Sequence, residues 1–76
     1  MKNKVLIIVP TYNEVDNIPV ILKQIYIQQE FIDQNKTIHV LVVDDNSPDG
    51  TADIVKMLQS ELYNGKLYLL QREGNH

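Results

Sequence analysis

Cysteine is absent from this chain, which excludes disulfides and thiolate metal sites and leaves the redox compartment open. Glycine and proline number only three each, too few for a linker, a collagen-like repeat or a low-complexity tract. No cluster of Lys or Arg occurs, and seven basic against ten acidic residues give a formal charge of -3. That balance removes the electrostatic footprint of a nucleic-acid binder and of an anchor on an anionic membrane. Long apolar runs are also lacking. The first run, within residues 4–10, is too short and too polar at its flanks for a signal peptide or a membrane span. A cytoplasmic location is the default expectation. What remains is a globular composition, 43% apolar and 22% charged, in 76 residues. That length suits one small domain whose core is marginal on its own.

Val5-Leu6-Ile7-Ile8-Val9 is a continuous apolar, largely β-branched run closed by Pro10, and it reads as a strand buried on both faces, as parallel sheets require. After the polar residues 13–17, Ile18, Ile21, Leu22 and Ile25 recur at helical spacing. Lys23, Gln24, Gln28 and Gln29 fall largely on the other side. Pro19 fits the first turn of that helix, where its missing N–H costs nothing. Residues 31–36 read as a connection and residues 38–43 as a second doubly buried strand. Ile54, Val55, Leu58 and Leu62 form the stripe of a second amphipathic helix over 51–62, with Asn64-Gly65 as its stop. Leu67-Tyr68-Leu69-Leu70 is a third strand. This α/β alternation, β-α-β-α-β, implies three parallel strands joined by right-handed crossovers. With no helix after the third strand, one sheet face is expected to be poorly covered. His39, near a strand start, is read as solvated and without a role. Asn35-Lys36-Thr37 matches a glycosylation sequon with no secretory context.

Two loops follow the carboxyl ends of the first two strands, the edge at which open α/β sheets bind ligands. The first is Pro10-Thr11-Tyr12-Asn13-Glu14; the second is Asp44-Asp45-Asn46-Ser47-Pro48-Asp49-Gly50-Thr51. Side by side, they offer an aromatic ring and the carboxylates of Glu14, Asp44, Asp45 and Asp49. An aromatic face can stack on a planar base, worth roughly 1–3 kcal/mol, and a carboxylate can accept from base N–H groups or ribose hydroxyls. Structural roles compete with each of these. Tyr12 is either a stacking face or a packed surface ring. Asp49 either joins the pocket or caps the second helix, whose positive end favours a carboxylate. Glu14 either faces the ligand or serves the first turn of the first helix. Asp44 and Asp45, adjacent acids after four apolar residues, must desolvate or find partners. No Gly-rich cradle is present, so the loop suits a nucleoside, a sugar or a metal better than a bare phosphate.

Receiver domains carry a similar Val-Val-Asp-Asp ending, but after their first strand rather than their second. Haloacid-dehalogenase-like phosphatases need Asp-x-Asp-Gly-Thr directly after a strand, whereas here Asp49-Gly50-Thr51 lies four residues beyond Asp45. Val9-Pro10-Thr11-Tyr12-Asn13-Glu14, Asn17-Ile18 and Val43-Asp44-Asp45-Asn46-Ser47-Pro48-Asp49-Gly50-Thr51 together resemble the inverting family 2 glycosyltransferases of the GT-A fold. The Ser-Pro-Asp-Gly-Thr form and the later Gln71-Arg72-Glu73-Gly74 most resemble dolichol-phosphate (polyprenol-phosphate) mannosyltransferases.

The resemblance implies a Rossmann-like N-terminal half of a nucleotide-sugar-binding domain, with residues 1–76 a truncated part of it. It implies that Pro10, Tyr12 and Glu14 line a nucleoside pocket, with Val43 as its floor and Asp45 on the base. Asp44 is implied as a further contact or a support from behind, and Asp49 as a secondary contact or loop organiser. The implied reaction moves mannose from GDP-mannose to a dolichyl or polyprenyl phosphate with inversion. Mg2+ or Mn2+ would be held by an Asp-x-Asp beyond the chain's last residue. The chain alone is then expected to be inactive, with membrane contact only through the rest of the enzyme or its lipid acceptor, at the cytoplasmic face. Two other readings are another family 2 enzyme using UDP-glucose or a related donor, and a non-catalytic nucleotide-binding fragment. A phosphoacceptor signalling domain is the remote alternative.

Overall fold

A computed structural model describes residues 3–73 of the chain. Strand β1 (Asn3–Thr11) leads through helix α1 (Ile18–Tyr26) and a 3-10 turn (Ile27–Glu30) to strand β2 (Lys36–Asp44). Helix α2 (Thr51–Glu61) and strand β3 (Leu67–Gln71) follow. The strands form one parallel sheet in the order β1-β2-β3, as the alternation of elements requires. β1 runs through Pro10 rather than stopping before it. A proline lacks a ladder donor, and an edge strand such as β1 tolerates one.

Two successive right-handed crossovers in this strand order place both helices over the same sheet face. Ile18 and Leu22 of α1, Val55 and Leu58 of α2, Ile38, Val40 and Val42 of β2 and Leu67 of β3 form the core between them. Alternate residues of the strands face the other way. There Leu6 is 52% exposed, Ile8 60% and Leu70 51%. The reading of β1 as a doubly buried strand is therefore corrected: an unbroken apolar run marks two apolar faces, and in this chain only one of them is packed. On β2 the same alternation leaves Leu41 and Val43 half-buried.

Gln28 and Gln29 do not continue α1. The helix ends at Tyr26, and the chain tightens into the 3-10 turn. Gln29 then spends its amide on the start of β2, donating to the Lys36 carbonyl at 2.7 Å and accepting from the Ile38 N–H at 2.8 Å. That fixes where the strand begins, two residues before the apolar run. Below the sheet, Tyr26 stacks on Tyr63 at 4.2 Å between ring centroids and donates to the Lys66 carbonyl at 2.6 Å.

His39, expected to be solvated, is only 6% exposed. It lies on the open face, but the Tyr68 ring of β3 covers it at 5.8 Å and 11°. The Tyr68 hydroxyl donates to the Gly65 carbonyl at 3.1 Å. His39 Nδ1 also lies 2.9 Å from that hydroxyl oxygen, a hydrogen bond whose direction is set by the tautomer of the ring. Burial, then the charges of Lys4 and Lys66, lower the imidazole's pKa from 6.5. Below pH 6.5 the unfolded ring takes up a proton more readily than the folded one. The stability contributed by the neutral ring is thus present above pH 6.5 and lost as pH falls through the lower folded-state value. We expect the urea midpoint to drop between pH 7.5 and pH 5.5, and a His39→Gln variant to flatten that drop. An unchanged drop in the variant would place the titrating group elsewhere.

Candidate functional site

The parallel register aligns Thr11 with Asp44 and Asp44 with Gln71, so all three strands finish level. Tyr12, Asp45 and Arg72 each stand one residue past a strand end. The ladder runs on into them: the Asp45 N–H donates to the Thr11 carbonyl at 3.0 Å and the Arg72 N–H to the Asp44 carbonyl at 2.8 Å. A cleft of about 280 Å³ opens at this edge, lined by Pro10, Thr11, Tyr12, Val43, Asp45 and Arg72. Pro10, Tyr12, Val43, Asp45 and Arg72 share the parity of the open sheet face, which is why the cleft lies on that side. It joins a half-exposed aromatic ring, an exposed carboxylate and a guanidinium around a small apolar floor.

Asp44 has the opposite parity and is fully buried. Its carboxylate accepts from the Thr11 hydroxyl at 3.0 Å, from the Ser47 N–H at 3.0 Å and from the Ser47 hydroxyl. Both loops are thereby tied to one carboxylate beneath the cleft. Asp49 lies at the entry to α2, where Gly50 takes the left-handed φ of +90°. One Asp49 oxygen accepts from the Thr51 N–H at 3.0 Å and from the Thr51 hydroxyl, while the other accepts from the Val15 N–H at 3.1 Å. Those bonds, the Thr51 hydroxyl's first, hold the Asp49 carboxyl below its usual pKa of 3.8. Glu14 serves the start of α1: its carbonyl accepts from the N–H groups of Asn17 and Ile18, and its carboxylate from the Asn17 side chain at 3.1 Å. Asn13 and Asn46 take left-handed φ values of +54° and +57°, one sharp turn in each loop, a conformation asparagine tolerates.

A model of the family described as Glycosyl transferase family 2 matches residues 6–76. The chain belongs to that family. A polyprenol monophosphomannose synthase of Mycolicibacterium smegmatis is 40% identical over 55 residues, which are 72% of this chain and 18% of that protein. An undecaprenyl-phosphate mannosyltransferase of Micrococcus luteus is 46% identical over 50 residues, 66% of this chain and 18% of that one. Among solved structures, the mannosyltransferase PcManGT of Pyrobaculum calidifontis, in complex with GDP-Man and Mn2+, superposes with a TM-score of 0.77 at 32% identity. That superposition covers all of this chain and 21% of the other. The chain thus spans about a fifth of the length of the relatives it matches.

The fold is the GT-A-type parallel α/β unit expected of a family 2 glycosyltransferase. Of the residues the sequence singled out, the structure gathers Pro10, Tyr12, Val43 and Asp45 around the cleft, and leaves Glu14, Asp44 and Asp49 off its lining. Thr11 and Arg72 line it without having been singled out. Arg72 sits in the Gln71-Arg72-Glu73-Gly74 segment that carried part of the resemblance, and its place one step past β3 was the available signal. Among the described residues no three His, Cys, Asp or Glu side chains come together to hold a metal ion. No helix among them is long and apolar enough to cross a membrane.

Proposed function

We propose that this chain supplies the donor-nucleoside site of a polyprenyl-phosphate mannosyltransferase, residues 1–76 forming the nucleotide-binding part of one glycosyltransferase domain. The observation that carries the reading is the cleft, with Tyr12, Asp45 and Arg72 level at the ends of three parallel strands. The Tyr12 ring offers a stacking face for the base, above the apolar floor of Pro10 and Val43. Asp45 offers two acceptor oxygens, which match the adjacent N1–H and 2-amino donors of guanine and only one N–H of uracil. Arg72 offers a fork of donors to a diphosphate. Glu14, Asp44 and Asp49 act from outside the cleft, holding the two loops in place.

GDP-mannose is the donor this chemistry favours, and the names of the two mannosyl-transferring relatives and the GDP-Man complex of the neighbour support it. The acceptor we assign is a polyprenyl or dolichyl phosphate, with inversion at the sugar carbon. A bound Mg2+ or Mn2+ would offset charge on the leaving diphosphate. The acidic groups of residues 3–73 do not form a ligand set for it, so its ligands would come from an Asp-x-Asp outside them. The catalytic step likewise belongs to residues outside this chain, at the cytoplasmic face of a membrane.

Tyr12→Ala is expected to weaken GDP binding about tenfold, the lower part of the range for a lost base–aromatic stack. Asp45→Asn is expected to erase the preference for GDP over UDP, because the amide replaces one of the two acceptors. Calorimetric titration of the chain with each nucleotide measures both effects. Wild-type affinity for GDP in both variants would place the nucleoside elsewhere. A wild-type preference for UDP would move the reading to a uridine-nucleotide donor.

A further inference from the structure

Three successive backbone N–H groups of the first loop end on three side chains of the second. The Asn13 N–H donates to Ser47 Oγ at 2.9 Å, the Glu14 N–H to Thr51 Oγ1 at 3.1 Å and the Val15 N–H to Asp49 Oδ2 at 3.1 Å. The acceptors are fixed in turn, Ser47 by the buried Asp44 carboxylate and Thr51 by the other oxygen of Asp49. Successive N–H groups around a left-handed residue, here Asn13 at φ +54°, form a concavity that usually receives an anion. In this chain the protein's own oxygens fill it, so these amides are spent on holding the loop and are closed to a donor phosphate.

We infer that Ser47, Asp49 and Thr51 are positioning residues for Tyr12. They clamp the backbone of residues 13–15 immediately after it and thereby set the ring at the cleft. The ligand side of this inference rests on the donor-nucleoside reading above; the clamp itself does not. Asp49 divides its carboxylate between two tasks, one oxygen serving the start of α2 and the other the opposite loop. Asp49→Asn separates them. With its amide oxygen toward Thr51, asparagine keeps the helix entry and presents an NH2 group to the Val15 N–H, where the bond is lost. Ser47→Ala is a second, charge-neutral variant that releases the Asn13 N–H, takes one hydroxyl from Asp44 and leaves α2 untouched.

The test uses the 15N-labelled 76-residue chain. It measures amide hydrogen exchange at residues 13–15, the Tyr12 χ1 couplings, the urea midpoint and GDP affinity. In Asp49→Asn, exchange at Val15 is expected to rise about tenfold, as for a lost bond to a charged acceptor. Tyr12 should average between rotamers, and GDP affinity should fall several-fold, with the unfolding midpoint lowered by no more than the one lost bond accounts for and the chain still folded. Ser47→Ala should raise exchange at Asn13 and average the Tyr12 rotamer likewise, with a lower midpoint because its hydroxyl bond to Asp44 is lost as well, and Asp49→Glu should restore part of the Asp49→Asn loss. Unchanged exchange in both variants, or raised exchange with an unmoved Tyr12 rotamer, would overturn the clamp. So would lost GDP affinity with unchanged exchange, because Asp49 would then act on the ligand directly. If the wild type itself binds no GDP, the donor reading fails, and the exchange and rotamer measurements still decide the clamp.

Discussion

Leu22→Ala is expected to abolish the chain's cooperative unfolding transition. Leu22 is fully buried on α1 against the sheet, in the same cluster as Ile18, Val40 and Val55. Removing a buried leucine side chain costs about 2–5 kcal/mol, the spread reflecting how far the site can collapse. Total stability at roughly 0.05–0.15 kcal/mol per residue amounts to about 4–11 kcal/mol for this length. The uncovered sheet face puts this chain toward the low end, because Leu6, Ile8 and Leu70 stay in water and contribute little. The loss is then comparable with the whole. Urea denaturation followed by circular dichroism should show a broad, non-cooperative decay in the variant. Val20→Ala, at a position 55% exposed on the same helix, should stay within about 0.5 kcal/mol of the wild type.

Asp44→Ala is the second large effect expected, and it acts on the site as well as on stability. The buried carboxylate is the acceptor for the Thr11 hydroxyl and for both the N–H and the hydroxyl of Ser47. Alanine leaves these donors without a partner, and Thr11 is itself buried. Bonds to a charged acceptor contribute about 1.5–3 kcal/mol, and a buried donor left unpaired costs about 1–3 kcal/mol. A destabilisation of roughly 3 kcal/mol or more is expected, comparable with that of Leu22→Ala, read as a urea transition moved to very low denaturant or lost. Asp44→Asn should lose roughly half as much, since its amide oxygen can still receive the two hydroxyls that share Oδ1. A loss in Asp44→Ala no greater than that in Asp45→Ala would contradict the account, because Asp45 is exposed and carries no comparable bonds.

The difference between those neighbouring aspartates marks the limit of what the sequence made legible. The run before them identifies a strand end, and strand alternation puts one carboxylate inward and the next outward. Which one meets the ligand follows only when the covered face is known. The five main elements were readable because each buried stripe recurs at its own period: Ile18 and Leu22 on α1, Val55 and Leu58 on α2, alternate residues on β2. The bare face was half readable. Two crossovers of one hand over strands in sequence order pointed to it, while the apolar runs of β1 and β2 suggested burial on both sides. Two apolar faces on a strand record what it is suited to meet; the packing present in this chain is set by the crossovers, and both helices lie on one side.

Longer-range pairings were not readable. His39 is covered by Tyr68, twenty-nine positions away, because the β2–β3 register pairs Tyr68 with Leu41 and so sets its ring diagonal to His39 on the same face. The clamp joins residues thirty-four to thirty-seven positions apart through backbone N–H groups, which carry no sequence signature. Asp49 was legible as either a cap or a loop organiser; the N-cap position is Gly50, and Asp49 just before it holds Thr51 with one oxygen and the opposite loop with the other. Arg72 required the end of β3 to be level with the other two strand ends, a property of register rather than of composition.

The central claim, that the cleft at the level strand ends is a donor-nucleoside site, is tested most directly by titrating the 15N-labelled chain with GDP and mapping the perturbed amides. The account predicts saturable shifts at Tyr12, Val43, Asp45 and Arg72, stronger with GDP than with UDP, and little change along α2. Perturbations confined to the open face around Leu6, Ile8 and Leu70, or none at millimolar GDP in a folded chain, would contradict it.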